Sequence, residues 1–210
     1  MYGVLVPVKP PRAAKSRLSS LGPLRADLAA AFAADTVAAV LECPSVSVVM
    51  AVTDDHDLAS GLSSLGALVL PDGAGDDLNQ TLVQAALELV RRFPSLRPAA
   101  LCADLPALRS GELSLALSRA PADALGFVAD AARVGTTLVV APSVELFSPS
   151  YGGESRAAHL AAGAVEIASG DLPSLTHDVD TPADLDAARE LGLGSRTSYV
   201  LSRSRLHTWR

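Results

Sequence analysis

Tyr2-Gly3-Val4-Leu5-Val6-Pro7-Val8 opens the chain, and Val46-Ser47-Val48-Val49-Met50-Ala51-Val52-Thr53 follows it across the alanine-rich run Leu24 to Leu41. The outer runs are valine-rich and of strand length, whereas the middle run has the length and composition of a helix. The same alternation continues outward. Asp54 and Asp55 sit where they can cap a short helix running to Leu65, and Ala67 to Leu70 reads as a third strand. A polar turn from Pro71 to Asp77 leads into a helix from Leu78 to Phe93. Pro98 to Ala103 reads as a strand that stops at Asp104-Leu105-Pro106, and Ser110 begins another helix. Ala124 to Ala129 and Thr136 to Ala141 read as strands, Pro142 to Gly153 as a loop, and Ser155 to Ala162 as a helix. Thr181-Pro182-Ala183-Asp184 has the N-cap threonine and first-turn proline of a helix start, and Gly192 stops that helix. Strands and helices in this alternation predict an α/β fold on an open sheet.

The chain has 210 residues, 49% hydrophobic and 19% charged, which suits one globular domain and argues against disorder. No repeat or linker divides it, so residues 1–194 are expected to form a single domain. Residues 195–210 carry Arg196, Arg203, Arg205 and Arg210 with no acidic residue, and read as a basic tail or as an arm of the kind that builds a homodimer. The two cysteines, Cys43 and Cys102, lie far apart without zinc spacing, which points to a reducing, cytoplasmic setting. The apolar runs are too short to span a bilayer, so no membrane association is expected. A net charge of −6 argues against nucleic acid as a partner. An anionic substrate would need locally placed cations.

Ligands of open α/β sheets bind beyond the carboxyl ends of the strands. Three features fall there. The loop after the first strand concentrates Lys9, Arg12, Lys15 and Arg17, cations suited to a triphosphate, although a solvated basic loop has the same composition. It is neither a P-loop nor a GxGxxG turn. Asp104 follows an apolar strand directly, as a metal ligand would, or as an N-cap or turn former would. In His177-Asp178-Val179-Asp180-Thr181-Pro182, an extended backbone sends Asp178 and Asp180 to one side, where their repulsion calls for a cation. Asp180 could instead assist the cap of the next helix. Together, three carboxylates offer hard oxygen ligands to Mg2+, which can bridge a triphosphate and an attacking group.

At these residues the sequence resembles the guanylyltransferases of deazaflavin coenzyme biosynthesis, which use GTP to activate 2-phospho-L-lactate or, in actinobacterial members, phosphoenolpyruvate. The matching pieces are Val8-Lys9, Ala14-Lys15-Ser16-Arg17-Leu18, Asp77-Leu78-Asn79, Asp104-Leu105-Pro106-Ala107-Leu108 and Asp178-Val179-Asp180-Thr181-Pro182-Ala183-Asp184-Leu185. The resemblance runs from Val4 to about Gly194 and rests on the order and spacing of these pieces. It implies a Rossmann-like, GT-A-like nucleotidyltransferase fold with a mixed, mainly parallel sheet flanked by helices. It implies that Asp104, Asp178 and Asp180 hold Mg2+, two ions being expected, and that these residues and Lys15 carry catalysis. Lys9, Lys15, Arg17 and Asn79 would meet GTP, although capping accounts equally well for Asn79. Thr137, Gly152 and Ser155 would contact the phosphate and carboxylate of the small phosphorylated acid.

Glycine in Tyr151-Gly152-Gly153-Glu154-Ser155 would let backbone N–H groups approach a phosphate, and an ordinary surface turn reads the same way. The chain departs from the family at Cys102-Ala103-Asp104, where glycine often precedes the aspartate, and at Pro10-Pro11. The prolines weaken any analogy with the glycine-rich loop of molybdopterin guanylyltransferases. His56, His159, His177 and His207 show no mutual ligand spacing and read as surface residues or as supports of the site, with His177 alone beside it. Another cofactor or sugar nucleotidyltransferase, or a non-catalytic GTP-binding module, would share much of this pattern.

Overall fold

The computed structural model describes residues 1–10, 22, 24–75 and 77–207, with side chains described as far as Arg203. Lys15 and Arg17 lie outside the described residues. The chain begins with β1 (Tyr2–Pro7), α1 (Leu24–Leu41), β2 (Val46–Val52), α2 (His56–Leu65), β3 (Leu68–Leu70), α3 (Leu78–Arg92) and β4 (Arg97–Leu101). It continues through α4 (Ser110–Ser118), β5 (Gly126–Ala129), β6 (Thr136–Val140), α5 (Ser155–Ala161), β7 (Val165–Glu166), α6 (Pro173–Thr176), α7 (Pro182–Leu191) and α8 (Ser195–His207). The strands form one sheet in the order β3-β2-β1-β4-β6-β5-β7. β1, β2, β3 and β4 run parallel, β6 runs antiparallel to both β4 and β5, and β7 pairs parallel with β5. This is the mixed, mostly parallel sheet that the family resemblance implies.

Both faces of the sheet are covered, which is why its strands read as continuous apolar runs. Val4, Val6, Ala99, Leu101, Leu138 and Val140 enter one core, and Leu5, Ala100 and Val139 enter the other, following the two-residue period of a strand. Helix boundaries follow their caps. The Asp55 carboxylate accepts from the N–H groups of Asp57 and Leu58 at the start of α2, and Asp77 accepts from Gln80 N–H at the start of α3. Thr181 and Asp184 form a reciprocal capping box at α7. Among the described residues no helix is long and apolar enough to cross a membrane.

β7, α6 and α8 carry no strong sequence signal, the first two because they span only two and four residues. In α8, Ser195 to His207, where the sequence suggests a tail or arm, form a helix seated on α1 of the same chain. Val200 and Leu201 pack with Leu28 and Phe32, and the buried Asp35 carboxylate accepts from Arg196 N–H at 3.1 Å and Thr197 N–H at 2.8 Å. Gly194 makes the close approach feasible, because a Cβ there would overlap the Asp35 carboxyl group. Gly194→Ala is therefore expected to lower stability by about 1–3 kcal/mol in urea unfolding. An unchanged midpoint would show that α8 can shift without loss.

Candidate active site

Asp104 lies just beyond β4, in a segment that has already left the sheet. The strand ends at Leu101 rather than at Ala103, and a helix hydroxyl explains what holds the next residues. Thr36, fully buried in α1, donates to the Ala103 carbonyl at 3.1 Å and accepts from Leu105 N–H at 3.1 Å. One side chain thus fixes the peptide on each side of Asp104. A threonine inside an alanine-rich helix is the available sequence signal, but nothing in the pattern names its partner.

The second acidic segment is joined to the first through the backbone, because Val179 N–H donates to the Asp104 carbonyl at 3.0 Å. Val179 is buried with Leu28, Phe32, Ala107, Leu185 and Ala188. With that side chain turned inward, the flanking Asp178 and Asp180 project the other way. Carboxylate oxygens of Asp104, Asp178 and Asp180 come within 4.8 Å of one another, and all three residues are half-buried. Among the described residues this is the one group of three His, Cys, Asp or Glu side chains placed to share an ion. At an effective dielectric of about 20, such charges repel by roughly 3 kcal/mol per pair, so a cation between them is strongly favoured. An all-oxygen donor set fits Mg2+ or Ca2+ and lacks the nitrogen or sulfur donors typical of zinc.

The cap of α7 is made by Thr181 and Asp184. Asp184 Oδ2 accepts from the N–H groups of Asp180 and Thr181 at 3.1 and 2.7 Å, so Asp180 enters the cap through its backbone. Hydrogen bonds from Thr181 and from the Asp180 backbone hold the Asp184 carboxyl below its usual pKa, although burial opposes the shift.

Two of the three carboxylates, Asp104 and Asp180, line a cleft of about 360 Å³ whose wall also includes Pro7, Val8, Lys9, Leu78 and Cys102. Lys9 is exposed and reaches this cleft from the end of β1. A smaller recess shares Lys9 and Leu78 and continues to Thr53, Asp72 and Thr81, beyond the ends of β2 and β3. A larger cavity, about 770 Å³, lies elsewhere, between α1, α2 and α8, and none of the three carboxylates lines it. Chemistry, not volume, selects the smaller cleft.

Thr137 lies at the start of β6, where its carbonyl accepts from Cys102 N–H at 2.9 Å, so it flanks the exit of β4 toward Asp104. Its hydroxyl is buried and has no hydrogen-bond partner among the described residues. Gly152 and Gly153 adopt φ of +112° and +44°, values that glycine accepts readily, and Ser155 is buried at the start of α5. Asn79, in the first turn of α3, spends its amide on Tyr151: Oδ1 accepts from Tyr151 N–H at 2.8 Å and Nδ2 donates to the Tyr151 carbonyl at 3.0 Å. The Tyr151 phenol donates to the Ala100 carbonyl at 2.8 Å, and burial pushes its pKa well above the ordinary value.

His159, fully buried, accepts Ser150 N–H at Nε2 across 2.9 Å, and its Nδ1 meets Thr136 Oγ1 at 3.1 Å. Burial lowers its pKa, which agrees with the neutral ring that an accepting Nε2 requires. His159 is a support that the sequence did not single out, since an isolated histidine carries no readable spacing. His177 is half-buried, directly before Asp178.

A family model described as "Guanylyl transferase CofC like" matches residues 2–202. The chain belongs to this family. A protein of Thermomonospora curvata named phosphoenolpyruvate guanylyltransferase is 50% identical over 204 residues, covering 96% of this chain and 89% of its own. One of the same name from Streptomyces coelicolor is 47% identical, with 96% of each chain covered. Among solved structures, a candidate nucleotide-diphospho-sugar transferase of Desulfovibrio desulfuricans G20 superposes with a TM-score of 0.70 at 17% identity, covering 98% of this chain and 96% of its own. A cytidylyltransferase of Leptospira borgpetersenii does so with a TM-score of 0.61 at 12% identity, covering 99% and 94%. At such identities these two establish the fold, which is that of the nucleotidyltransferases.

Thr36→Val keeps the shape of the α1 side chain but strips the partners from Ala103 C=O and Leu105 N–H. It is expected to cost about 1–3 kcal/mol of stability and to weaken Mn2+ binding measured by calorimetry. Metal affinity equal to that of the wild type would remove Thr36 from the support of Asp104.

Proposed function

We propose that the protein is a Mg2+-dependent guanylyltransferase that joins GTP to phosphoenolpyruvate and releases pyrophosphate, acting in the cytoplasm. The observation that carries this reading is the convergence of Asp104, Asp178 and Asp180 beside Lys9, in a chain whose relatives bear that enzymatic name. The three carboxylates hold the metal, two ions in our reading. Bound Mg2+ supplies charge neutralisation for the triphosphate and the incoming phosphate. Lys9, with Lys15 and Arg17 later in the sequence, binds the triphosphate. Thr137, Gly152 and Ser155 receive the acid. The orphaned Thr137 hydroxyl supports that assignment, since buried polar groups are rarely left unpaired and an oxyanion would complete it.

In the reaction, a phosphate oxygen of the acid attacks the α-phosphorus of GTP. A new P–O–P bridge forms, the bond to the β-phosphate breaks, and pyrophosphate leaves. The attacking phosphate is already ionised, so no general base is required. The work of the protein is alignment and charge compensation.

The test is pyrophosphate release from purified protein with Mg2+, pairing each nucleoside triphosphate with phosphoenolpyruvate, 2-phospho-L-lactate or 3-phosphoglycerate. GTP with phosphoenolpyruvate is expected to react, and chelator to abolish release. Preference for CTP, or for another acid, would overturn the substrate assignment. Asp104→Asn, Asp178→Asn and Asp180→Asn should each lower turnover at least about a hundredfold. Each variant should keep the fold, read as a far-UV circular dichroism spectrum like that of the wild type, so that the loss is one of chemistry. Full activity in all three would sink the metal-site assignment.

A further inference from the structure

We propose that Asn79 is a positioning residue for the phosphorylated acid, not a ligand of the nucleotide. The inference rests on the reading of Gly152 and Ser155 as acid-binding residues. Asn79 and Tyr151 exchange two hydrogen bonds, 2.8 and 3.0 Å, in which the side-chain amide pairs with the backbone as a neighbouring strand would. Only one amide hydrogen and one carbonyl lone pair remain for any other partner. The residue before Tyr151 is fixed independently, since Ser150 N–H donates to His159. A third tie joins the Tyr151 phenol to the Ala100 carbonyl in β4. Residues 150 and 151 are thus anchored to α3, α5 and β4 immediately before two glycines of positive φ.

That order has a physical consequence. Glycine loses more conformational freedom on ordering than any other residue, so a Gly152-Gly153 pair left to itself would resist taking up one shape around an anion. The anchors upstream and the buried Ser155 downstream hold both ends of the pair before any acid arrives. Asn79 stands at the junction, because its neighbour Leu78 lines both the main cleft and its smaller recess. The wall of the nucleotide cleft and the acid strap are therefore connected, on the α3 side through the Asn79 amide.

The experiment is steady-state kinetics on both substrates, with titration calorimetry of phosphoenolpyruvate in the presence of Mg2+. Asn79→Ala should raise KM and Kd for the acid roughly tenfold, as expected for two lost hydrogen bonds, while KM for GTP stays within about twofold. Asn79→Asp keeps the acceptor for Tyr151 N–H but turns a charged oxygen toward the Tyr151 carbonyl, and should bind the acid no better than the alanine variant. His159→Phe retains a ring against Phe127 but removes the acceptor for Ser150 N–H, and should show the same one-sided loss. It also serves if Asn79→Ala fails to fold. A rise in KM for GTP with the acid unaffected would make Asn79 a nucleotide ligand and overturn the proposal. Equal losses on both substrates would reduce the clasp to general support and overturn it too. Wild-type protein that neither turns over nor binds any of the three acids would overturn this inference and the proposed function together. Wild-type activity with unchanged acid binding in the variants would overturn this inference alone.

Discussion

Three carboxylates within 4.8 Å repel one another, and much of the structure around them exists to oppose that repulsion. Among the described residues, part of the restraint is mechanical and lies in groups that carry no charge. Val179 is buried among residues of α1 and α7, its N–H is given to the Asp104 carbonyl, and Thr36 grips both neighbours of Asp104. α1 therefore does more than cover the sheet. Its Thr36 sets one acidic segment, its Leu28 and Phe32 bury the valine of the other, and its Asp35 anchors α8. Electrostatic strain of this kind is tolerable because a cation can convert it into affinity, which ties the cost of building the site to its use.

The reversal of β6 matters to the rest of the cleft. In a wholly parallel sheet, the start of a strand lies at the opposite end from the ligand site. Because β6 runs antiparallel to β4, its first residues come alongside the exit of β4, with Leu138 opposite Leu101 and Thr137 bonded to Cys102. Thr136 and Thr137 then stand at the same end of the sheet as Asp104, one meeting His159 and the other with a buried hydroxyl that has no partner among the described residues. The parallel half of the sheet supplies the cleft beside Lys9, as open α/β sheets do. The antiparallel strand supplies the wall on which the glycine strap is hung.

The legible part of this architecture was local. Valine-rich strands, the alanine-rich α1 and the Thr181-Pro182 helix start all follow from short-range preferences, and α1 runs from Leu24 to Leu41 as read. Asp178 and Asp180 were placed on one side because alternation in an extended segment needs no tertiary knowledge. Thr36, His159 and the Asn79–Tyr151 clasp were not legible in that way. Their partners are 67, 9 and 72 residues distant, and each partner is a backbone group, which leaves no trace in residue identity. Asn79 shows the limit well: its residue type fits a cap, a nucleotide contact or a clasp, and only the position of Tyr151 distinguishes them.

The formal charge of −6 and the acidic triad pose a common problem for a doubly anionic reaction. On the proposed reading, neither a bare triphosphate nor a bare phosphorylated acid would be welcome beside three carboxylates, so the metal must neutralise the protein as much as the substrates. Lys9 can offset only part of the charge from the rim of the cleft, where it is exposed and screened. On the same reading the acid meets the Thr137 hydroxyl and the backbone of the strap, neutral donors that gain strength from being held in place before binding. Neutral dipoles act only through their geometry, so on that reading loosening the strap by a fraction of an ångström would weaken the hold on the acid. The polar ties upstream of Gly152 fit that dependence.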